Sequence, residues 1–444
     1  MGADDLRLSG RRRTARLLRN IILIGLGKGG IYAAALLTAR LLVEIGGVDA
    51  YGLWAPCAQL LMWVGLLDLG FGFALQNLVS HATSDSARLA AGRAAGAVLV
   101  VLLVLAVFII GMGVLAITLE PAALRLLYAS TLSPALADPA ARSVMIALVG
   151  LAISLVAQVP LRLVVGIQGH GTLAAWQGGV ALIALAALPA AHAVGLPWTS
   201  GLAVAVLLPL LVPLVIGGLL LRRSGAAWAM PRLDHGLRPL RGLLGSSLAL
   251  LLSQMAAVAV FQTNVIVVGK MLGPRDAAVL DAVLKIMTFP MMAQAVVLAA
   301  LWPAMAQATA QGDVQWVRLA YRRGLILTAL LVAGTGLLCL VGGALTGLLL
   351  GTSTPAPNAV LLGGVAAFTA CSLISALHAQ CLNAAGYVRG AALLACAQAT
   401  LNVILVTWGV ASHGVSAVGW ASTIAAVFTS VPGLLFLWNR RTHV

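Results

Sequence analysis

Acidic side chains are scarce in this chain: 12 Asp and Glu among 444 residues, with only 9% of residues charged at all. Soluble domains average about 25% charged, so a water-facing globular surface is excluded. Too few carboxylates remain to assemble the paired acids of hydrolysis or glycosyl transfer, and no Ser/His/Asp arrangement emerges. No Walker A sequence occurs, which excludes ATP hydrolysis by that route. The five cysteines (Cys57, Cys339, Cys371, Cys381, Cys396) all fall in apolar runs, with neither disulfide nor metal-ligand spacing. No catalytic residue, metal site or cofactor is therefore expected. A cleavable signal peptide is not expected either, because the basic start leads into a full-length apolar run instead of a short one.

Apolar residues are what the chain has: 61% of it. Runs of twenty or more recur along the whole length, and their continuity excludes the alternation of a β-barrel. The expected fold is an all-α polytopic membrane protein with twelve spans. These cover 20–43, 51–78, 95–118, 143–165, 172–193, 200–221, 243–268, 278–303, 324–350, 359–384, 390–410 and 416–438. A basic cytoplasmic arm (1–19) precedes an N-terminal six-helix lobe (20–221), a cytoplasmic linker (222–242), a C-terminal six-helix lobe (243–438) and a short cytoplasmic tail (439–444). With the chain starting inside, cytoplasmic segments hold 19 of the 27 Lys and Arg residues, so both termini are expected in the cytoplasm. The net charge of +15 fits this bias or an anionic partner. Nucleic acid is not an expected partner, since no basic soluble domain exists to hold it.

The two halves share a hairpin. A shift of 226 positions lays Gly47 on Gly273, Ala82 on Ala308 and Thr83 on Thr309, so a parallel repeat is expected. Charges inside these hairpins are costly unless they face water, a partner or a substrate. Lys28 and Asp68 both lie roughly 12 to 15 Å deep at 1.5 Å per residue, which permits a pair. Arg40 has Glu44 at i+4, and Lys285 has Asp281 at i−4. Gln59, Gln76, Asn264 and Gln294 add uncharged polar groups to the same hairpins, while His378 reads as a packing histidine or a proton-coupling group. Gly25-Leu26-Gly27-Lys28-Gly29-Gly30 matches GxGxxG, yet it lies inside a span and lacks the βαβ context of a nucleotide site. Gly25 and Gly29 instead form a small-xxx-small face for close helix approach. Asp313–Arg323 is expected to form a short interfacial helix.

Tyr51 to Ala82 (YGLWAPCAQLLMWVGLLDLGFGFALQNLVSHA) resembles the second-span signature of Wzx-type flippases for lipid-linked oligosaccharides. VIVVGKMLGPRDAA and LWPAMAQATAQGD in the second half resemble them too. Those proteins belong to the multidrug/oligosaccharidyl-lipid/polysaccharide exporter (MOP) superfamily. The resemblance implies two six-helix lobes around a central cavity lined by spans one, two, seven and eight. It implies transport of an undecaprenyl-pyrophosphate-linked oligosaccharide (an O-antigen, capsule or exopolysaccharide unit) across the bacterial inner membrane, without catalysis. On that reading Lys28, Arg40 and Lys285 are substrate-binding cavity cations, and Asp68, Gln76, Asn264, Gln294 and His378 are cavity polar or coupling residues. Expected partners are the lipid-linked oligosaccharide, membrane lipids and other polysaccharide polymerisation and export proteins, with coupling to H+ or Na+ left open. Asn264 departs from relatives with an aspartate in that region, which removes a coupling carboxylate there. A cation-coupled drug exporter is the alternative on the same fold. An outer-face glycosyltransferase or polymerase would need a sizeable outer loop or paired acids, and neither is present.

Overall fold

The computed structural model describes residues 3–63, 68, 70–80, 82, 84–119, 128, 134–167, 169–223, 230–232, 241–310, 313–351, 356–385 and 387–442. All regular structure among them is helical. In lipid that is the expected economy, because a helix satisfies its backbone polar groups within one segment. The helices are α1 (Ala3–Leu61), α2 (Phe71–Ser80), α3 (Asp85–Leu119), α4 (Pro134–Gly166), α5 (His170–Ala184), α6 (Ala187–Ala193), α7 (Trp198–Arg223) and α8 (Arg241–Phe261). They continue as α9 (Thr263–Met271), α10 (Pro274–Met287), α11 (Phe289–Ala310), α12 (Val314–Leu350), α13 (Ala359–Ala384), α14 (Val388–His413), α15 (Ala417–Phe428) and α16 (Ser430–Thr442).

Among the described residues nine helical segments are long and apolar enough to cross a membrane, or ten with the bent pair Pro274–Met287 and Phe289–Leu298. The expected count of twelve is thus not reproduced. Two of the nine, Ile22–Leu61 and Arg389–Arg440, are 40 and 52 residues long. At 1.5 Å per residue each exceeds a core of about 30 Å. Each also contains a glycine of positive φ, Gly47 and Gly414. Expected spans one and two meet in the first segment, and eleven and twelve in the second.

The chain forms two compact units. One comprises Met1–Leu37, Asp68–Gly111 and Val149–Ser247; the other comprises Thr38–Leu67, Met112–Leu148 and Leu248–Val444. In the first unit α1 packs on α5 through glycines. A Cβ at Gly27 would collide with the backbone of Ala174, and one at Gly30 would lie 3.0 Å from Gly178 Cα. Gly25 and Gly29 have nothing within 4 Å of such an atom. The close approach expected at Gly25 and Gly29 is therefore made one face round, by Gly27 and Gly30.

In the second unit the two hairpins shared by the halves pack together. Gly47 (φ 78°, ψ 176°) and Gly273 (φ 105°, ψ −179°) adopt the same conformation, one that only glycine enters without strain. Gly52 lies so close to the Pro274 carbonyl that a Cβ there would overlap it. A further close approach, Gly419 against Gly364 and Val365, joins α15 to α13. Small residues serve here because lipid supplies no hydrophobic drive between helices, leaving van der Waals fit and hydrogen bonds.

Helix α12 is 37 residues long, capped by Asp313, whose side chain accepts from Trp316 N–H, and ended by Gly351 (φ 80°). Asp313–Arg323 is therefore not a separate interfacial helix but the cap and first turns of a long one. Three threonines along α12 return their hydroxyl protons to the preceding turn: Thr328 to Gly324 O (2.8 Å), Thr335 to Leu331 O (2.9 Å) and Thr346 to Gly342 O (2.7 Å).

Candidate functional site

Among the described residues each compact unit holds a buried carboxylate with a cation beside it. In the second unit the cluster centres on Asp281, whose side chain is 2% exposed. Its Oδ2 accepts from the Tyr51 hydroxyl and pairs with the Lys285 ammonium one turn along α10. Its Oδ1 accepts from Gln59 Nε2 at 2.8 Å. Lys285 Nζ also donates to Tyr51 OH at 3.1 Å and lies 5.4 Å from the centre of that ring. The packed hairpins bring these groups together, since Tyr51 and Gln59 come from α1 beyond Gly47, and Asp281 and Lys285 from α10. The 226-residue shift lays Gln59 on Lys285, so equivalent positions of the two hairpins hold one carboxylate from either side. A buried ion pair of this kind repays its desolvation only because the remaining lone pairs are also satisfied.

In the first unit the cluster centres on Asp68, which is fully buried. Its Oδ1 accepts from Gly70 N–H at 2.8 Å, in a turn where Gly70 has φ 76°. Its Oδ2 faces Arg162 Nη2 at 3.9 Å. Gln158 Oε1 accepts from Arg162 Nε at 3.2 Å, which holds the guanidinium in place. Gly72 leaves the space: a Cβ there would lie 2.5 Å from Asp68 Oδ2 and 2.8 Å from Arg162 Nε. His170 stands at the start of α5, in the same unit. Lys28 itself is half-buried and has no ion pair or hydrogen bond among the described residues. Asp68 is thus held by Arg162, where the spacing of depths pointed to Lys28.

The remaining predicted residues divide by environment. Arg40 pairs with Glu44 at 2.7 Å, as i,i+4 spacing anticipates, and also donates to Leu348 O at 3.0 Å. It thereby satisfies a carbonyl in the last turn of α12, where a cation is favoured. Asn264 is 2% exposed; its Nδ2 donates to Ser422 Oγ at 3.2 Å and its Oδ1 accepts from Asn402 at 3.1 Å. Gln294, also 2% exposed, donates to Thr328 Oγ1 and Leu373 O, both at 2.9 Å. His378 is 2% exposed, with Nδ1 2.8 Å from Ile374 O and Nε2 2.9 Å from Tyr321 OH. A carbonyl only accepts, so Nδ1 carries a proton, and in the neutral ring Nε2 accepts from Tyr321. Gln76 on α2 is half-buried, with no side-chain partner among the described residues. Asn264, Gln294 and His378 are hydrogen-bonded to side chains within the second unit. Among the described residues no group of His, Cys, Asp or Glu could hold a metal ion.

Arg162, His170 and Tyr51 were not among the predicted residues. One signal could have singled out Arg162: it lies inside the expected span 143–165, where a charge is costly without a partner.

The all-helical architecture is that of the MOP superfamily transporters. A MOP superfamily transporter from Pyrococcus furiosus Vc1 (DSM3638), described as having a binding pocket of reversed polarity, aligns at 16% identity and TM-score 0.66 over 96% of this chain and 95% of its own. An inward-facing MATE family multidrug resistance transporter aligns at 16% identity and TM-score 0.66 over 92% and 94%. A MATE structure in complex with MaD3S aligns at 17% identity and TM-score 0.66 over 96% and 95%. Comparison with curated proteins returned no significant match. Residues 17–309 match the polysaccharide biosynthesis protein family, and the chain belongs to it. It is a multi-pass membrane protein of that family.

Proposed function

We propose that this protein is a flippase that carries an undecaprenyl-pyrophosphate-linked oligosaccharide from the cytoplasmic to the periplasmic leaflet of the bacterial inner membrane. Its sugar would be an O-antigen, capsule or exopolysaccharide unit. Family membership supports the polysaccharide side of this reading. The observation that carries it is an asymmetry of charge. Asp68 and Asp281, the two carboxylates inside the expected spans, each already face a cation, Arg162 and Lys285. Lys28 has no carboxylate among the described residues, in a unit that also holds His170 and Arg162. A site with a spare cation suits a diphosphate, whose attraction grows as the surroundings lose water.

The physical task is to move a polar sugar and a diphosphate through hydrocarbon while the polyprenyl tail stays in lipid. Two lobes rocking about a central cavity would give alternating access. Lys28 would meet the diphosphate, and half-buried Gln76 would bond sugar hydroxyls. H+ or Na+ would supply the energy, the termini would lie in the cytoplasm, and polymerisation and export proteins would receive the product.

The MATE neighbours favour a rival, a cation-coupled drug exporter on the same fold. That activity would use an acid free to hold a cationic drug, and both candidate acids are engaged. Complementation of surface-glycan display in a flippase-null strain tests the choice. Lys28→Ala is expected to abolish display and Lys28→Arg to retain part of it, since charge matters here more than fork geometry. Full display by a well-expressed Lys28→Ala variant would overturn the role of Lys28. Drug resistance conferred without any glycan display would support the rival.

A further inference from the structure

A groove of about 340 Å³ runs between α11 and α12, lined by Val297 and Leu301 on one side and Trp316, Leu319, Arg323 and Leu327 on the other. It lies wholly within the second unit, and none of its lining residues belongs to either charged cluster. Its volume is in the range of small-ligand sites, yet its walls are apolar except for one guanidinium. Val297, Trp316 and Leu319 are 45%, 37% and 47% exposed. Arg323 is exposed and has no ion pair or hydrogen bond among the described residues.

The sequence of α12 fixes the level of that guanidinium. From Gly324 to Leu350 the helix runs 27 residues without a charge. At 1.5 Å per residue this is about 40 Å, enough to cross a hydrocarbon core of about 30 Å. Arg323 is therefore the last charge before hydrocarbon and stands at headgroup level. Trp316, two turns nearer the helix start, belongs to the interfacial belt. Leu327 and Val297 lie on the hydrocarbon side. Arg318 and Arg322 are exposed on another face of the same turns and raise the local positive potential, while no acid lines the groove.

We propose that this groove is a binding site for one anionic phospholipid of the surrounding bilayer. The lipid phosphate would bond Arg323, and one acyl chain would lie between Val297, Leu301 and Leu327. The apolar walls match the chain, and the unpaired guanidinium matches the phosphate. A zwitterionic lipid offers the same phosphate but adds an ammonium, which three neighbouring arginines disfavour.

The test uses the purified full-length protein with phosphatidylglycerol or phosphatidylcholine, read by native mass spectrometry. Retained phosphatidylglycerol is expected to exceed phosphatidylcholine by about fivefold, the worth of one cation near an anionic surface. Arg323→Gln should bring the two to the same level, and Val297→Trp, which fills the groove from its exposed side, should remove both. Phosphatidylglycerol with brominated acyl chains should quench part of the tryptophan emission, and Trp316→Phe should delete that part. This optical reading leaves Arg323 and Val297 in place. Equal retention of the two lipids, or a preference unaltered by Arg323→Gln and Val297→Trp, would overturn the proposal. So would displacement of phosphatidylglycerol by undecaprenyl phosphate at equal concentration, which would make the groove a path for the substrate's tail.

Discussion

Asp281 gathers three polar partners, Tyr51, Gln59 and Lys285, and its worth depends on all of them. Removing one partner of a buried pair leaves the other charge uncompensated, at a cost of about 3–5 kcal/mol. Asp281→Ala is expected to lose stability on that scale, because the Lys285 ammonium then has no carboxylate. Asp281→Ala combined with Lys285→Met should recover much of the loss, since no buried charge remains. Thermal unfolding in detergent or nanodiscs measures both, and equal losses in the single and double variants would show that the pair itself contributes little. The i,i+4 pairs, Lys285 with Asp281 and Arg40 with Glu44, were legible in the sequence because they lie on one helix. The Asp68–Arg162 pair was not, because its members are 94 residues apart and no periodicity connects them. Tyr51 was hidden for another reason: an aromatic residue in an apolar run gives no sign that its hydroxyl meets a carboxylate.

At the scale of the helix, register decides which small residues matter. The run from Gly25 to Gly30 offers glycines on several faces, and only the partner selects among them. Gly27 and Gly30 meet the backbone of Ala174 and Gly178, which cannot move aside as a flexible side chain can. Gly27→Val and Gly30→Val are therefore expected to lower the unfolding temperature or abolish expression, with overpacking alone costing about 1–3 kcal/mol. Gly25→Val and Gly29→Val should be tolerated, because open space surrounds both positions. A uniform response across the four variants would mean that loss of glycine, and not contact with α5, sets the effect. The hairpin glycines show the opposite case. Gly47 and Gly273 were paired from sequence alone, and their shared positive φ gives the pairing a physical basis. Turn chemistry is local and therefore readable, whereas the choice of packing face is not.

Across the whole molecule, the distribution of basic residues carries information that no contact records. Nineteen of 27 Lys and Arg residues fall in segments assigned to the cytoplasm, including the arm at 1–19 and the linker at 222–242. Moving such clusters across a membrane is unfavourable, so the bias orients the chain. The linker holds Arg222, Arg223, Arg232, Arg238 and Arg241, whereas the segment after α12 from Gly351 to Asn358 holds no charged residue. In a background without native cysteines, a cysteine at Ser224 should be shielded from an impermeant thiol reagent in intact cells and react after permeabilisation. A cysteine at Thr352 should react in intact cells. The five native cysteines are unpaired in the structure, so their replacement breaks no disulfide. Labelling of the linker in intact cells would reverse the orientation and place Lys28 nearer the periplasmic face. It would then contradict cargo loading from the cytoplasmic leaflet at that cluster while leaving the helical fold untouched.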